Sequence, residues 1–175
     1  MRAWMLAAAA VLLFAGGAQA EVVETGAQGF RLKSVLQIKA SPARVYQAIG
    51  ELPRWWDGEH TYSGKAENMT FPLQANGCWC ETIPGGGGVR HGVVELAWPA
   101  QGMIRADAAL GPLQDEGVRG ALYFHTVAKD GGAELTVTYN VGGARDAIAK
   151  AAPGIDAVLS AAWARLKRYV ETGKP

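Results

Sequence analysis

From His60 to Val141 the chain reads as strand after strand at short spacing, and beyond Gly142-Gly143 its hydrophobic period changes once and does not change back. Strands are expected near 60–66, 68–74, 78–83, 89–98, 102–110, 117–129 and 133–141. Turn residues punctuate them: Gly64, Asn76-Gly77, the run Pro84-Gly85-Gly86-Gly87-Gly88, Pro99-Ala100-Gln101-Gly102 and Asp130-Gly131-Gly132. The last strand is the cleanest. Leu135, Val137, Tyr139 and Val141 face one way and Glu134, Thr136, Thr138 and Asn140 the other, which gives one buried and one solvated face. Consecutive strands without intervening helices leave little room for a parallel sheet. After the glycine pair, Ile155, Val158, Leu159, Ala162, Trp163, Leu166 and Val170 recur at helical spacing. They draw one apolar stripe along a helix of about five turns. Residues 145–150 read as a separate turn, broken off at Pro153-Gly154.

Ahead of this run, Phe30 to Lys39 alternates as a strand with Phe30, Leu32, Leu36 and Ile38 on one face. Ser41-Pro42 then supplies an N-cap and a proline at the first helical position. The helix is expected to run to about Gly50, burying Val45, Ala48, Ile49 and Leu52, with Pro53 stopping it and an irregular segment over 54–58. The order is strand, short helix, antiparallel strands, long amphipathic helix, which is an α+β domain. One sheet face must be buried, and a helix laid across a curved sheet leaves concave space. That space becomes an apolar pocket.

Residues 1–20 have the form of a signal peptide. Arg2 precedes an apolar stretch from Ala3 to Ala15, and Ala18-Gln19-Ala20 offers a small-x-small cleavage pattern before Glu21. The apolar stretch is too short to cross ~30 Å of hydrocarbon as a helix. The expectation is therefore an exported, periplasmic or secreted protein cleaved at Ala20-Glu21, with a linker over 21–29 and one domain over 30–172. No stable membrane insertion is expected of the mature chain.

Charge excludes some partners. Seventeen Lys and Arg stand against sixteen Asp and Glu, and Arg2 is the one charged residue among the first twenty, so the remainder is balanced. Without a basic cluster, nucleic acid is not an expected partner. Hydrophobic residues at 49% against 19% charged exclude a disordered chain.

Several stretches carry a resemblance. They are Ser41-Pro42-Ala43-Arg44-Val45-Tyr46, Trp55-Trp56, His60-Thr61-Tyr62-Ser63-Gly64, Gly77-Cys78-Trp79-Cys80-Glu81, and Ala109-Leu110-Gly111-Pro112-Leu113-Gln114 followed by Gly120-Ala121-Leu122. Together they resemble the START-like or Bet v 1-like superfamily, in its bacterial polyketide cyclase/dehydrase and Hsp90-activator-homologue branch, over about residues 30–172. The resemblance implies a helix-grip fold, a curved antiparallel sheet wrapped around the long C-terminal helix with an internal cavity. It also implies that His60 lies beside the tryptophan pair at the pocket mouth.

Few residues promise chemistry. Cys78 and Cys80 lie two apart on an expected strand and point to one face. Buried packing, a disulfide helped by a bulge, and a metal pair with His91 all stay open. An extended strand holds i and i+2 Cβ atoms farther apart than a disulfide spans. No second Cys pair or spaced His pair supports zinc. No metal and no cofactor is expected. His60, His91 and His125 fall on three different expected strands. One of them could serve as a general base oriented by Glu81, Glu95 or Asp107, although an ordinary strand histidine is the simpler reading. The glycine run 85–88 lacks a phosphate-loop pattern and precedes a strand, so it reads as a hairpin tip. Arg105 and Asp107 share a strand face, with solvent their expected surroundings. Gly111-Pro112-Leu113-Gln114 reads as a rigid turn at the cavity lip. Of the Trp55-Trp56 pair, at least one ring is expected at the entrance.

The leading expectation is a protein that binds a small, mostly hydrophobic molecule, lipid or polyketide-like, between sheet and helix. Trp55, Trp56, His60, Tyr62, Leu113 and Trp163 are expected around it. No catalytic residue is named. A cyclase or hydrolase-type enzyme in the same cavity is the rival, and it requires a histidine with a carboxylate within ~2.6–3.2 Å, directed into the pocket. A protein-interaction module of the envelope is the third reading, and it requires a filled interior and a large exposed apolar patch.

Overall fold

A computed structural model describes residues 19–143 and 146–175. Residues 1–18, most of the expected signal segment, lie outside the described residues. Eight strands form one antiparallel sheet: β1 (Gln19–Gly26), β2 (Gly29–Ile38), β3 (Met69–Thr70), β4 (Cys78–Thr82), β5 (Gly88–Trp98), β6 (Met103–Ala108), β7 (Arg119–Lys129) and β8 (Gly132–Gly142). Their order across the sheet is β1-β2-β8-β7-β6-β5-β4-β3. Among the described residues two α-helices complete the fold, α1 (Pro42–Gly50) and α2 (Asp146–Thr172).

The alternation in β2 and β8 has the expected consequence. Phe30, Leu32, Leu36 and Ile38 are buried, and so are Leu135, Val137, Tyr139 and Val141, with Phe30 opposite Val141, Leu32 opposite Tyr139 and Leu36 opposite Leu135 across the β2–β8 ladder. At the head of α1, the Ser41 hydroxyl accepts the Arg44 N–H at 3.3 Å and Pro42 opens the first turn. The helix buries Val45, Tyr46, Ala48 and Ile49. On α2, Leu159, Ala162, Trp163 and Leu166 are buried as the stripe requires. α2 packs on β1, β2 and α1, and α1 packs on β7 and β8. A charged cluster ties the two helices: Arg44 grips Glu51 with two bonds of 2.9 and 3.0 Å, and Tyr169 of α2 donates its hydroxyl to the same carboxylate.

Four expectations need correction. The stretch 60–66 is not a strand but a bent segment over 61–64 between single 3-10 turns at Gly58–His60 and Ala66–Asn68. Asp57 caps the first turn by accepting the Glu59 N–H, a local bond that competes with sheet pairing. Residues 21–29, read as a linker, hold most of β1 and the turn into β2, because β1 can pair along the β2 edge. Pro153 does not break the C-terminal helix but lies inside α2. It forgoes one backbone bond there, and the packing of α2 along β1 and β2 offsets that loss. Finally, both tryptophans of the pair are buried, Trp55 at 1% and Trp56 at 6% exposure. The irregular backbone after Leu52–Arg54 turns the two rings 65° apart, so each finds its own side of the interior.

Candidate functional site

Between the concave sheet face and the first turns of α2 lies an open cavity of about 680 Å³. This is within the size range of small-molecule sites. α2 contributes Gly154, Ile155, Val158 and Leu159 to one wall. Met69, Trp79 and Trp56 form the opposite wall, and Leu110, Gly111 and Pro112 form a lip. Glu59, His60, Thr61, Tyr62 and Lys150 bring polar groups to the same space.

The lip is anchored from the sheet. Tyr139 of β8 donates its hydroxyl to the Ala108 carbonyl at 2.9 Å and accepts the Leu110 N–H at 3.3 Å. Its ring lies where Gly120 has no side chain; a Cβ there would meet Tyr139 Cε2 at 2.5 Å. The Trp55–Trp56 segment is anchored from α2, where Arg165 donates to the carbonyl of Trp55 at 2.8 Å and to that of Trp56 at 3.4 Å. Trp56 in turn donates its indole N–H to the His60 carbonyl at 3.0 Å, which places the His60–Tyr62 rim.

On β4 the inner face carries Trp79 and Glu81, and the outer face carries Cys78 and Cys80. The two cysteines form a disulfide with a Cα separation of 5.1 Å. The ladder between β4 and β5 is irregular there: Trp79 opposes Gly92 while Cys80 opposes Arg90, so His91 is the extra residue of a β-bulge. A regular extended strand spans about 6.6 Å over two residues. The local shortening is what allows the bridge that a regular strand disfavours.

The bulge also decides where His91 points. Gly92 and Val94 are buried, so unbroken alternation would turn His91 outward and Arg90 inward. Instead His91 is buried, Arg90 is exposed, and the imidazole reaches the cavity wall. Its Nε2 lies 3.0 Å from Glu81 Oε2. Glu81 also accepts the backbone N–H groups of Tyr62 and Ser63. Burial pushes the Glu81 carboxyl up, but the bonds from Ser63, Tyr62 and His91 outweigh it and hold the group below its ordinary range. Burial lowers the His91 pKa by more than Glu81 raises it. An ionised carboxylate accepts only, so His91 carries its proton on Nε2 and donates it to Glu81. The other nitrogen, Nδ1, is left as an acceptor, with the Gln114 amide 3.4 Å away.

The six residues expected around a ligand divide evenly. Trp56, His60 and Tyr62 line the cavity. Trp55, Leu113 and Trp163 do not line it; they are core residues at 1%, 1% and 2% exposure. Trp163 packs edge-on against Phe124 at 5.5 Å and beside Trp55 at 6.0 Å, one helical turn beyond the cavity-facing Leu159. Leu113 turns inward from a 3-10 segment, Gly111–Glu116, whose first residues make the lip. His125 lies beside Tyr123 on the outer sheet face, and Arg105 and Asp107 pair there with Glu95 and Arg119. Gly85, Gly86 and Gly87 all have positive φ in the turn between β4 and β5. Among the described residues, no cluster of three or more His, Cys, Asp or Glu is placed to hold a metal ion.

Residue reading alone passed over Trp79, Met69 and the wall formed by Ile155 and Val158. For the last two the signal was present, because both belong to the stripe. For Trp79 it was its phase, one residue out of step with the cysteines that flank it.

No family model and no curated protein matches this sequence. Solved structures do share its form. A protein from Rhodobacter sphaeroides matches with a TM-score of 0.59 at 20% identity, over 85% of this chain and 95% of its own. A conserved protein of unknown function from Enterococcus faecalis matches at 0.62 and 15%, over 90% and 79%. DynU16, from the dynemicin biosynthetic locus, matches at 0.61 and 16%, over 83% of this chain and 48% of its own. This chain has the helix-grip fold. Such identities speak for the fold alone. The helix-grip arrangement accounts for the cavity, since a sheet curved about one long helix closes on it at one end and stays open at the other.

Proposed function

We propose that this protein binds a small, mostly hydrophobic molecule in the cavity between its sheet and the start of α2. The observation that carries this reading is the cavity itself, about 680 Å³ with Trp56, Trp79, Met69, Ile155, Val158 and Leu159 in its walls. Apolar walls with a few polar groups at one side are the usual make-up of such sites. The exposed large hydrophobics among the described residues are Val23 on β1, Tyr62 in the bent segment before β3, Trp98 on β5 and Val127 on β7. Scattered exposure supports binding inside the fold over docking on an apolar face.

The finer reading places the chain in the START-like superfamily, in its polyketide cyclase/dehydrase branch, exported and cleaved at Ala20-Glu21. The sequence stretches named above support it, as does the fold shared with a protein of a biosynthetic locus. No described helix is long and apolar enough to cross a membrane. The protein purified from its own host's periplasm is expected to start at Glu21 and to carry a bound lipid or aromatic molecule in native mass spectrometry. A bare mass, with no thermal shift across lipids and polycyclic aromatics, would overturn the binding reading.

A further inference from the structure

We propose that the Cys78–Cys80 disulfide is a redox-active site, reduced in the folded protein by a dithiol, and that its state decides whether His91 or Arg90 faces the cavity. The proposal goes beyond the binding reading and does not depend on what the cavity holds. Three observations carry it. Both cysteines are partly exposed on the outer face of β4, and only the two residues of β3 lie beyond that strand at the sheet edge. The bridge encloses a single residue, Trp79, so it removes little entropy from the unfolded chain and is a poor staple. Exposed disulfides are the ones that exchange readily. Arg90, itself exposed, stands opposite Cys80 in the ladder. A cation beside a thiol favours the thiolate, which makes Cys80 the better leaving group.

In the exchange, one thiolate of the dithiol attacks Cys78 Sγ. The bond between Cys78 and Cys80 breaks, and Cys80 leaves as a thiolate that takes up a proton. The second thiol of the dithiol gives up its proton, attacks the first sulfur in the mixed disulfide and releases Cys78. The cysteine pair gains two electrons and two protons, and the dithiol departs as a disulfide that has lost both.

The bridge also fixes the ladder. It holds the two Cα atoms at 5.1 Å, where an extended strand spans about 6.6 Å, and the bulge takes up the difference. Once reduced, β4 can extend and pair without the bulge. Continuing from Trp79 opposite Gly92, Cys80 then meets His91 and Glu81 meets Arg90. Both arrangements give the buried Glu81 carboxylate a partner, the imidazole it has now or the guanidinium that replaces it. The displaced residue passes into Gly85, Gly86 and Gly87, which all have positive φ and open space where a Cβ would lie.

The test uses the mature protein and dithiothreitol without denaturant. Reduced cysteines are trapped with iodoacetamide and read by intact mass. Imidazole accessibility is read by diethyl pyrocarbonate modification mapped to each histidine, with His125 on the outer sheet face as internal reference. Expected is trapping of both cysteines while far-UV circular dichroism stays that of the folded protein. His91, 6% exposed in the bridged protein, should react more slowly than His125 before reduction and at a similar rate after it. Arg90→Ala tests both parts. It should slow reduction by about fivefold and, with no guanidinium to take over Glu81, keep His91 protected in the reduced protein. Cys78→Ser combined with Cys80→Ser should give fast His91 modification with or without dithiothreitol. A bridge that dithiothreitol opens only in urea overturns the proposal. So does a reduced protein whose His91 stays as slow as before.

Discussion

The guanidinium of Arg165 on α2 donates to the backbone carbonyl of Trp55 at 2.8 Å, so the long helix itself holds the segment that carries both tryptophans. Trp55 enters the core and Trp56 the cavity wall from that one held point. Arg165→Met keeps the aliphatic stem and removes the donors. It is expected to cost about 1–2 kcal/mol in urea unfolding, because a half-buried carbonyl loses a charged donor. Arg165→Lys should recover only part of this, since an ammonium cannot reach two carbonyls as a planar fork does.

Tyr139 is a second link between sheet and cavity. Its hydroxyl is buried, and burial raises its pKa far above the ordinary tyrosine value. It therefore stays a neutral donor to Ala108 and an acceptor from Leu110. Tyr139→Phe leaves both backbone groups short of a partner and should destabilise by about 1–3 kcal/mol. The Leu110 amide should also exchange its hydrogen faster, a local effect that a loss of packing elsewhere would not produce.

The pH dependence of stability has a defined sign. His91 has a folded pKa below its ordinary 6.5, with burial the cause and Glu81 opposing it. As pH falls through 6.5 the unfolded chain takes up a proton that the folded one still refuses, so stability is full above 6.5 and declines below it. The decline ends once pH passes the lowered folded value. His91→Gln should flatten this part of the curve. Lowered Glu51, Glu81 and Glu171 then add a separate loss as pH falls further, below 4.5. Denaturant midpoints for both proteins across the range check the assignment.

The disulfide between Cys78 and Cys80 closes a very short loop, so its chain-entropy contribution is at most about 1.5 kcal/mol. Its effect should be local. Replacing both cysteines by serine is expected to move Tm little while shifting the NMR signals of Trp79, which lies between them on β4, and of His91, the extra residue of the bulge on β5. A large fall in Tm with unchanged His91 signals would contradict this.

The fold was legible because two periods carry it. Alternation in β2 and β8 and the stripe of α2 each face a large continuous core, so burial and spacing agree. The site was legible only in part. The resemblance to a known family set His60 beside the tryptophan pair at the pocket mouth, and His60, Tyr62 and Trp56 reach the cavity. Trp163 belongs to the same stripe as Ile155 and Leu159, and spacing alone cannot tell the end of a helix that lines a void from the end that fills one. His91 with Glu81 was one pairing among several, because a bulge changes phase by one residue and leaves no period to read. Gly92 was its only trace: a Cβ there would meet Ala108 Cβ at 2.8 Å, which marks the close approach of β5 and β6.

Filling the cavity from its own wall gives the sharpest test. Val158 of α2 faces the space, and Val158→Trp puts an indole where a ligand would lie. Calorimetric titration with 2-naphthol should show saturable binding to the parent with a negative heat-capacity change. The variant should show none, at equal or higher Tm. Equal affinity in both proteins, or no saturable heat in the parent, would contradict an apolar guest between sheet and helix.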